Sequence, residues 1–297
     1  MSRHRIRRSA LPASVTAVVL LAGSAAGGAC PVGRPPDRAP AAVASVSSAS
    51  SPSAAASTSE EPEVDLDAEL ADALAPLAGE ADVSVAVLDT RSGAGAVYGD
   101  GAYDTASIVK VDILAALLLL AQDEGRELNG AEHAWAEAMI RRSDNTSATE
   151  LLKVIGGAGA LDSANGRLGL TGTTAARAWG LTQTTATDQV RLLEAVFGTD
   201  SALSESSAAY LRDLMGEVQA DQQWGVSAAG SGWALKNGWM PRTTTGLWDI
   251  NSIGRVESGE HACLVAVLSR GHATKEAGVA LVESVAKAAV GVVSESG

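Results

Sequence analysis

Asp104-Thr105-Ala106-Ser107-Ile108-Val109-Lys110, running on into Val111-Asp112-Ile113-Leu114-Ala115-Ala116-Leu117-Leu118-Leu119-Leu120, is the stretch on which the reading of this chain turns. From Val111 to Leu120 it is almost wholly apolar, which marks a helix buried at the centre of a domain rather than one lying on its surface. Ser107 and Lys110 stand where that helix begins. Positions three apart share a helix face, so the hydroxyl and the amine can meet. A lysine held in a low-dielectric site has a lowered pKa and can take a serine proton. The helix N-terminus adds backbone N–H groups and the positive end of its dipole. The spacing alone is not a site: Ser284-Val285-Ala286-Lys287 repeats it and reads as a solvated helix edge.

Outward from this stretch the pattern is regular. Upstream, Leu66, Leu70, Leu74 and Leu77 recur at helical spacing, and residues 83–89 alternate like a half-buried strand. A turn at Arg91-Ser92-Gly93 leads into a second strand over 96–98, so the pair reads as a hairpin. From about 105 to 220 the chain reads as mostly helical. Strand signals return over 233–236, 246–256 and 262–269, followed by an amphipathic helix over 273–290. Short connections imply antiparallel neighbours. The expected class is α/β in the α+β sense: a five-stranded antiparallel sheet flanked by terminal helices, with an inserted all-helical lobe. A cleft between the lobes is the expected place for a site.

Two further segments carry candidate chemistry. Ser143-Asp144-Asn145 lies between two helical stretches. The Ser143 hydroxyl can pass a proton to a leaving nitrogen, and the Asn145 amide can bind a substrate carbonyl or fix the lysine. Equally, Asp144 or Ser143 can simply cap the helix that follows. Lys236-Asn237-Gly238-Trp239 ends a predicted strand. Lys236 and Asn237 on a strand edge can bind a carboxylate, Gly238 allows close approach of the backbone, and the Trp239 N–H can pair with that of Ser107 as an oxyanion hole. The competing reading is a plain strand ending in an Asn-Gly turn.

Taken in order, Ser-x-x-Lys, Ser-Asp-Asn and Lys-x-Gly resemble the signature of class A β-lactamases and penicillin-binding proteins. Residues 151–157 resemble that family's helix and Gly-Gly turn, and residues 184–188 resemble the threonine pair that follows its Ω-loop. The resemblance implies a β-lactamase/transpeptidase-like fold over residues 63–297 and an acyl-enzyme on Ser107. Lys110 and Ser143 would move the proton, while Asn145, Lys236, Asn237, Gly238 and Trp239 would bind substrate. Ser107 is then expected between the Lys110 and Lys236 amines in a sheltered groove. The implied partner is a β-lactam or a peptidoglycan stem peptide ending in D-Ala-D-Ala.

The pattern also departs from the family. Residues 156–187 contain no Glu where an Ω-loop Glu normally activates the deacylating water; their one acid, Asp162, reads as helix surface. Asn237 stands where Thr or Ser is usual. The reading is therefore slow β-lactam hydrolysis, with a D-Ala-D-Ala carboxypeptidase or a non-catalytic surface-binding lipoprotein as alternatives.

Bulk properties exclude other classes. The formal net charge is −13, and the first 30 residues carry four Arg and no acid, so the remainder stands at −17. Such a body repels phosphate backbones, and no phosphate-cradling Gly-rich motif is present, so no nucleic acid or nucleotide is expected. The four His are scattered without ligand spacing, so no metal or other cofactor is expected. Residues 1–30 read as a signal peptide: a basic run to Arg8, an apolar stretch, then Gly27-Gly28-Ala29-Cys30, which resembles a lipobox with Cys30 as the lipidation site. Residues 31–62, rich in Pro, Ala and Ser, read as a disordered tether spanning on the order of 30 Å. The expectation is an exported monomer held at a membrane surface by a lipid. Cys263, within an apolar run, reads as a small buried hydrophobe.

Overall fold

The computed structural model describes residues 64–296. The signal peptide, Cys30 and the 31–62 tether lie outside the described residues.

The chain opens with α1 (Leu66–Ala78), whose N-cap Asp65 accepts from the Ala68 N–H and whose Leu70 and Leu74 are buried. The hairpin follows as β1 (Asp82–Asp89) and β2 (Gly95–Tyr98). Near the end of the chain come β5 (Ser231–Pro241), β6 (Trp248–Ser258), β7 (His261–His272) and α8 (Lys275–Glu295). All pairings are antiparallel, in the order β2-β1-β7-β6-β5. The two chain-end segments meet at the sheet centre, where β1 pairs with β7 from Asp82↔Arg270 to Asp89↔Cys263. β5 is left as an edge strand.

Strands β5 and β7 are longer than the sequence implied, and β6 keeps its expected length but is shifted by two residues. β5 continues through Asn237-Gly238, a dipeptide that reads as a turn, because Lys236 to Trp239 pair in register with Ile253 to Ile250. One element was not expected: a second, two-stranded sheet of β3 (Tyr103–Asp104) and β4 (Gln183–Thr184). Two-residue strands carry no periodicity to read.

Between β3 and β5 lies the helical lobe: α2 (Val109–Asp123), α3 (Gly130–Arg141), α4 (Asn145–Ile155), α5 (Ala158–Arg167), α6 (Ala186–Phe197) and α7 (Glu205–Gly216). α2 is buried nearly all round, as its apolar run requires. The core divides at the sheet. Leu114, Leu117, Met139 and Leu193 join the lobe-side cluster, with Ile253 and Leu268 from the sheet. Leu70, Leu74, Val282 and Val285 pack α1 and α8 on the opposite face against Val85, Val265 and Val267.

Candidate active site

Ser107 lies in a 3-10 turn (Ala106–Ile108) that feeds directly into α2. Ala106 holds a left-handed φ of +47°, a conformation that strains a residue bearing a Cβ and marks a constrained turn. The turn is held from three sides. Asn251 of β6, fully buried, donates from Nδ2 to the Asp104 and Thr105 carbonyls at 2.9 and 3.1 Å, while its Oδ1 accepts from the Ser269 N–H. The Thr105 N–H donates to the Thr182 carbonyl at 2.8 Å. Arg242 pairs with both Asp104 and Asp249.

Gly238 adds a fourth restraint. A Cβ there would lie 2.7 Å from the Thr105 carbonyl, 2.9 Å from the Ser107 N and 3.0 Å from the Ile108 N, all backbone atoms that cannot yield easily. Glycine is what lets the edge strand run against the serine turn.

Lys110 is the centre of the constellation. Its Nζ lies 2.9 Å from Ser107 Oγ, 3.0 Å from Ser143 Oγ, 2.7 Å from the Ser143 carbonyl and 2.8 Å from Asn145 Oδ1. Burial pushes its pKa down to about 7, only partly offset by the Asp144 charge. A neutral amine has two N–H donors and one lone pair. The Ser143 carbonyl and Asn145 Oδ1 can only accept, so they take the two N–H groups, and the lone pair is left for the Ser107 proton.

Ser143 also sits at a left-handed φ, +54°. That geometry separates two roles that were open from sequence. Asp144 caps α4, accepting from the Ser147 N–H at 2.7 Å, and Ser143 turns its hydroxyl to the lysines instead. Lys236 Nζ donates to Ser143 Oγ at 3.1 Å and to the Asn237 carbonyl at 2.8 Å. Its complete burial, reinforced by the nearby Lys110, puts its pKa well below the ordinary lysine range. The hydroxyl bonded to both amines is thus that of Ser143. Ser107 contacts Lys110 directly and is linked to Lys236 through Ser143, which corrects the expectation that Ser107 itself would lie between them.

A second correction concerns Asn237. Alternation along β5 puts Lys236 and Gly238 on the lobe side and Asn237 and Trp239 on the other. Both Asn237 amide protons are used there, donated to the Gln222 and Trp224 carbonyls at 2.8 and 2.9 Å. The side chain therefore has no donor for a substrate carboxylate. The Trp239 ring likewise packs beside Trp224 and under Lys275 of α8, leaving its main chain to the cleft.

The cleft has a volume of about 330 Å³ and opens over Ser107 and Asn145. Its outer wall, Ala178 to Leu181, is a segment the sequence reading left unassigned beyond its lack of Glu. There Trp179 covers Lys110, whose Nζ is 4.9 Å from the ring centre, and donates from Nε1 to Thr149 Oγ1 at 3.2 Å. Gly180 backs onto Ala106. Asp162 lies on the α5 surface as expected, and its carboxylate accepts from the Ala175 N–H at 2.6 Å, anchoring the start of this wall. Asn251, Trp179 and the Arg242 pairs had no signal in the sequence, because each acts through partners far away along the chain.

The family model described as the β-lactamase enzyme family matches residues 133–293, more than half of the chain. The chain belongs to the β-lactamase enzyme family. The matched span includes Ser143, Asn145 and Lys236 and begins after Ser107 and Lys110. No curated protein matches the chain. Solved structures share the β-lactamase fold. A class A β-lactamase from Bacteroides cellulosilyticus aligns over 78% of this chain and 100% of its own, at TM-score 0.68 and 17% identity. The TLA-1 extended-spectrum β-lactamase aligns over 75% and 97%, at TM-score 0.68 and 18% identity. A PBP-A mutant, solved as an acyl-enzyme complex with penicillin G, aligns over 80% and 100%, at TM-score 0.67 and 21% identity. At these identities the likeness speaks to the fold, and it places this chain's β-lactamase-like sheet and lobe in known company.

Proposed function

We propose that this chain is a serine hydrolase that forms an acyl-enzyme on Ser107 with a β-lactam and releases it slowly. The observation that carries the reading is the 2.9 Å contact between Ser107 Oγ and a lysine amine whose pKa is lowered to about 7. Neutral Lys110 takes the Ser107 proton as Oγ attacks the amide carbonyl. The backbone N–H groups of Ser107 and Trp239 stabilise the oxyanion. Ser143, hydrogen-bonded to both lysines, hands a proton to the departing nitrogen and recovers one from Lys110. Asn145 holds Lys110 in place and faces the substrate at the cleft.

Slow release is supported by the cleft lining, which contains no carboxylate. The wall opposite Ser107 offers Trp179 and Leu181 rather than a base for water. The same absence favours, as a second reading, a penicillin-binding D-Ala-D-Ala carboxypeptidase. The presence of Ser107, Lys110 and Lys236 together argues against a purely binding lipoprotein. The exported, lipid-anchored placement through Cys30 belongs to the same proposal and rests on residues 1–30.

Intact-mass measurement of the full chain with penicillin G tests this. A long-lived adduct of the whole drug, lost in Ser107→Ala, is the expected result. A transient adduct with accumulating hydrolysed drug would mean efficient turnover, and release of D-Ala from a stem peptide would select the carboxypeptidase. No adduct with either substrate removes the proposal.

A further inference from the structure

The proton that Lys110 takes from Ser107 turns a neutral amine into a buried ammonium, and no counterion is bonded to it. Its partners, Ser107 Oγ, Ser143 Oγ, the Ser143 carbonyl and Asn145 Oδ1, are all uncharged. Two charges face it. Asp144 commits its carboxylate to the Ser147 N–H at the start of α4 and offsets the burial of Lys110 only in part. Lys236 of β5 shares the Ser143 hydroxyl, and the two amines disfavour each other's charge. A buried charge in such surroundings is costly. The cleft-lining wall from Ala178 to Leu181 brings no ion to the amine. It brings the face of Trp179, whose ring centre lies 4.9 Å from Lys110 Nζ. A tryptophan face within about 6 Å of an ammonium attracts it through the ring quadrupole, most strongly where water is excluded. The ring is also pinned. Its Nε1 donates to Thr149 Oγ1 at 3.2 Å, and that hydroxyl donates to the Asn145 carbonyl at 3.0 Å. Asn145 thus fixes the lysine through its side chain and the ring, by way of Thr149, through its main chain.

We propose that Trp179 takes part in acylation through Lys110: its ring face stabilises the positive charge that the amine acquires as Ser107 attacks. The inference rests on acylation of Ser107 with Lys110 as base, and it adds a positioning residue to that site. In the step concerned the Ser107 O–H bond breaks, a Lys110 N–H bond forms, and the Oγ–carbon bond forms at the amide carbonyl. Ammonium and oxyanion therefore appear together. The oxyanion has its backbone N–H donors, and the ammonium has the ring. Trp179 acts on the amine in two opposed ways: its face favours the charged form, and its bulk, by excluding water, disfavours it. A leucine at position 179 keeps apolar bulk and loses the face, which separates the two.

The test measures the second-order rate of penicillin G adduct formation on the full chain by intact mass, as a function of pH. It compares the native chain with Trp179→Leu, Trp179→Phe and a series carrying fluorinated tryptophans at position 179 alone. Fluorination weakens the ring face and keeps the shape of the side chain, so this series reads the interaction even if Trp179→Leu folds poorly. Trp179→Leu is expected to lower the high-pH plateau by about tenfold and to move the apparent pKa of the profile downward, because the ammonium has lost a stabilising face. Trp179→Phe should fall between the two, and the plateau should drop stepwise as fluorines are added. A plateau and midpoint unchanged through the fluorinated series overturn the proposal. A slower Trp179→Leu whose midpoint stays put or rises gives the ring a packing role only, and overturns it as well. A native chain that forms no adduct, or whose rate is flat with pH, removes the Lys110 chemistry on which the inference rests, and that result is read before position 179 is changed.

Discussion

Lys110 is surrounded by four oxygen atoms and has at most three hydrogens to offer, so one hydroxyl must donate to it whenever the amine is neutral. This makes its protonation state the switch of the site. Below about pH 7 the ammonium has no lone pair for the Ser107 proton, and above it the free amine dominates. Acylation of Ser107 should therefore rise with pH through an apparent pKa near 7, measured as the second-order rate of adduct formation, and a profile flat from pH 5.5 to 8.5 would exclude Lys110 as the base. The same shift has a stability signature. The folded pKa lies below the unfolded lysine value, so between about pH 7 and 10 the unfolded state binds more protons and stability rises with pH. Lys110→Met lacks this dependence. The stability of the native chain relative to Lys110→Met should increase across that window, by at most about 1.4 kcal/mol per pH unit, as read by urea unfolding. Gly238 is the second residue on which the site depends. Gly238→Ala drives a Cβ into the Thr105 carbonyl and the Ser107 N–H, so acylation should fall by about a hundredfold or more while the chain still folds.

The element that positions the nucleophile is the turn between β3 and α2, and most of its restraints come from elsewhere. Asn251 reaches it from the middle of β6, and the Thr182 carbonyl reaches it from the loop before β4. Asn251→Ala removes two hydrogen bonds to buried carbonyls. It should lower stability by about 1–3 kcal/mol in urea unfolding and slow acylation, with Lys110 and Ser143 untouched. Unchanged acylation would show that the other restraints, Gly238, the Thr182 carbonyl and the Arg242 pairs, hold the turn without Asn251. How far the elements were legible depends on their length. β1 and the hairpin could be read because valine recurs at every second position from Val83 to Val87, although the strand proves buried on both faces rather than half-buried, and α2 because its apolar run is longer than the roughly four to eight residues typical of a buried strand. β5 was cut short at Lys236 because Asn-Gly is strong turn chemistry. In the folded chain that glycine serves a close approach between strand and turn instead.

On the scale of the molecule, the sheet separates two cores with different duties. The lobe-side core carries α2, and with it Ser107 and Lys110, while the opposite core packs α1 and α8. Leu74, fully buried in α1, belongs to the second. Leu74→Ala should destabilise the chain by about 2–5 kcal/mol and lower Tm by several degrees, yet leave the acylation rate at 25 °C unchanged. A matching loss of rate would show that the two sides of the sheet are coupled. The strongly acidic charge concerns solubility and partners, and it is not what shapes a cleft whose lining is uncharged.

From its residues alone this chain specified where the nucleophile, its lysine, the Ser-Asp-Asn loop and the Lys-x-Gly strand lie, and which helices and strands carry them. Those features are local, set by periodicity and spacing along a few turns or one strand. Tertiary packing decided the rest: that Ser143 rather than Ser107 bridges the two amines, that Asn237 turns away from the cleft, that Asn251 holds the serine turn and that Trp179 covers Lys110. The reason is that a side chain's partners and its loss of solvent depend on segments that meet across tens to more than a hundred residues. A lysine's pKa, in particular, is a property of the walls around it, and those exist only once the sheet and the helical lobe have closed on each other.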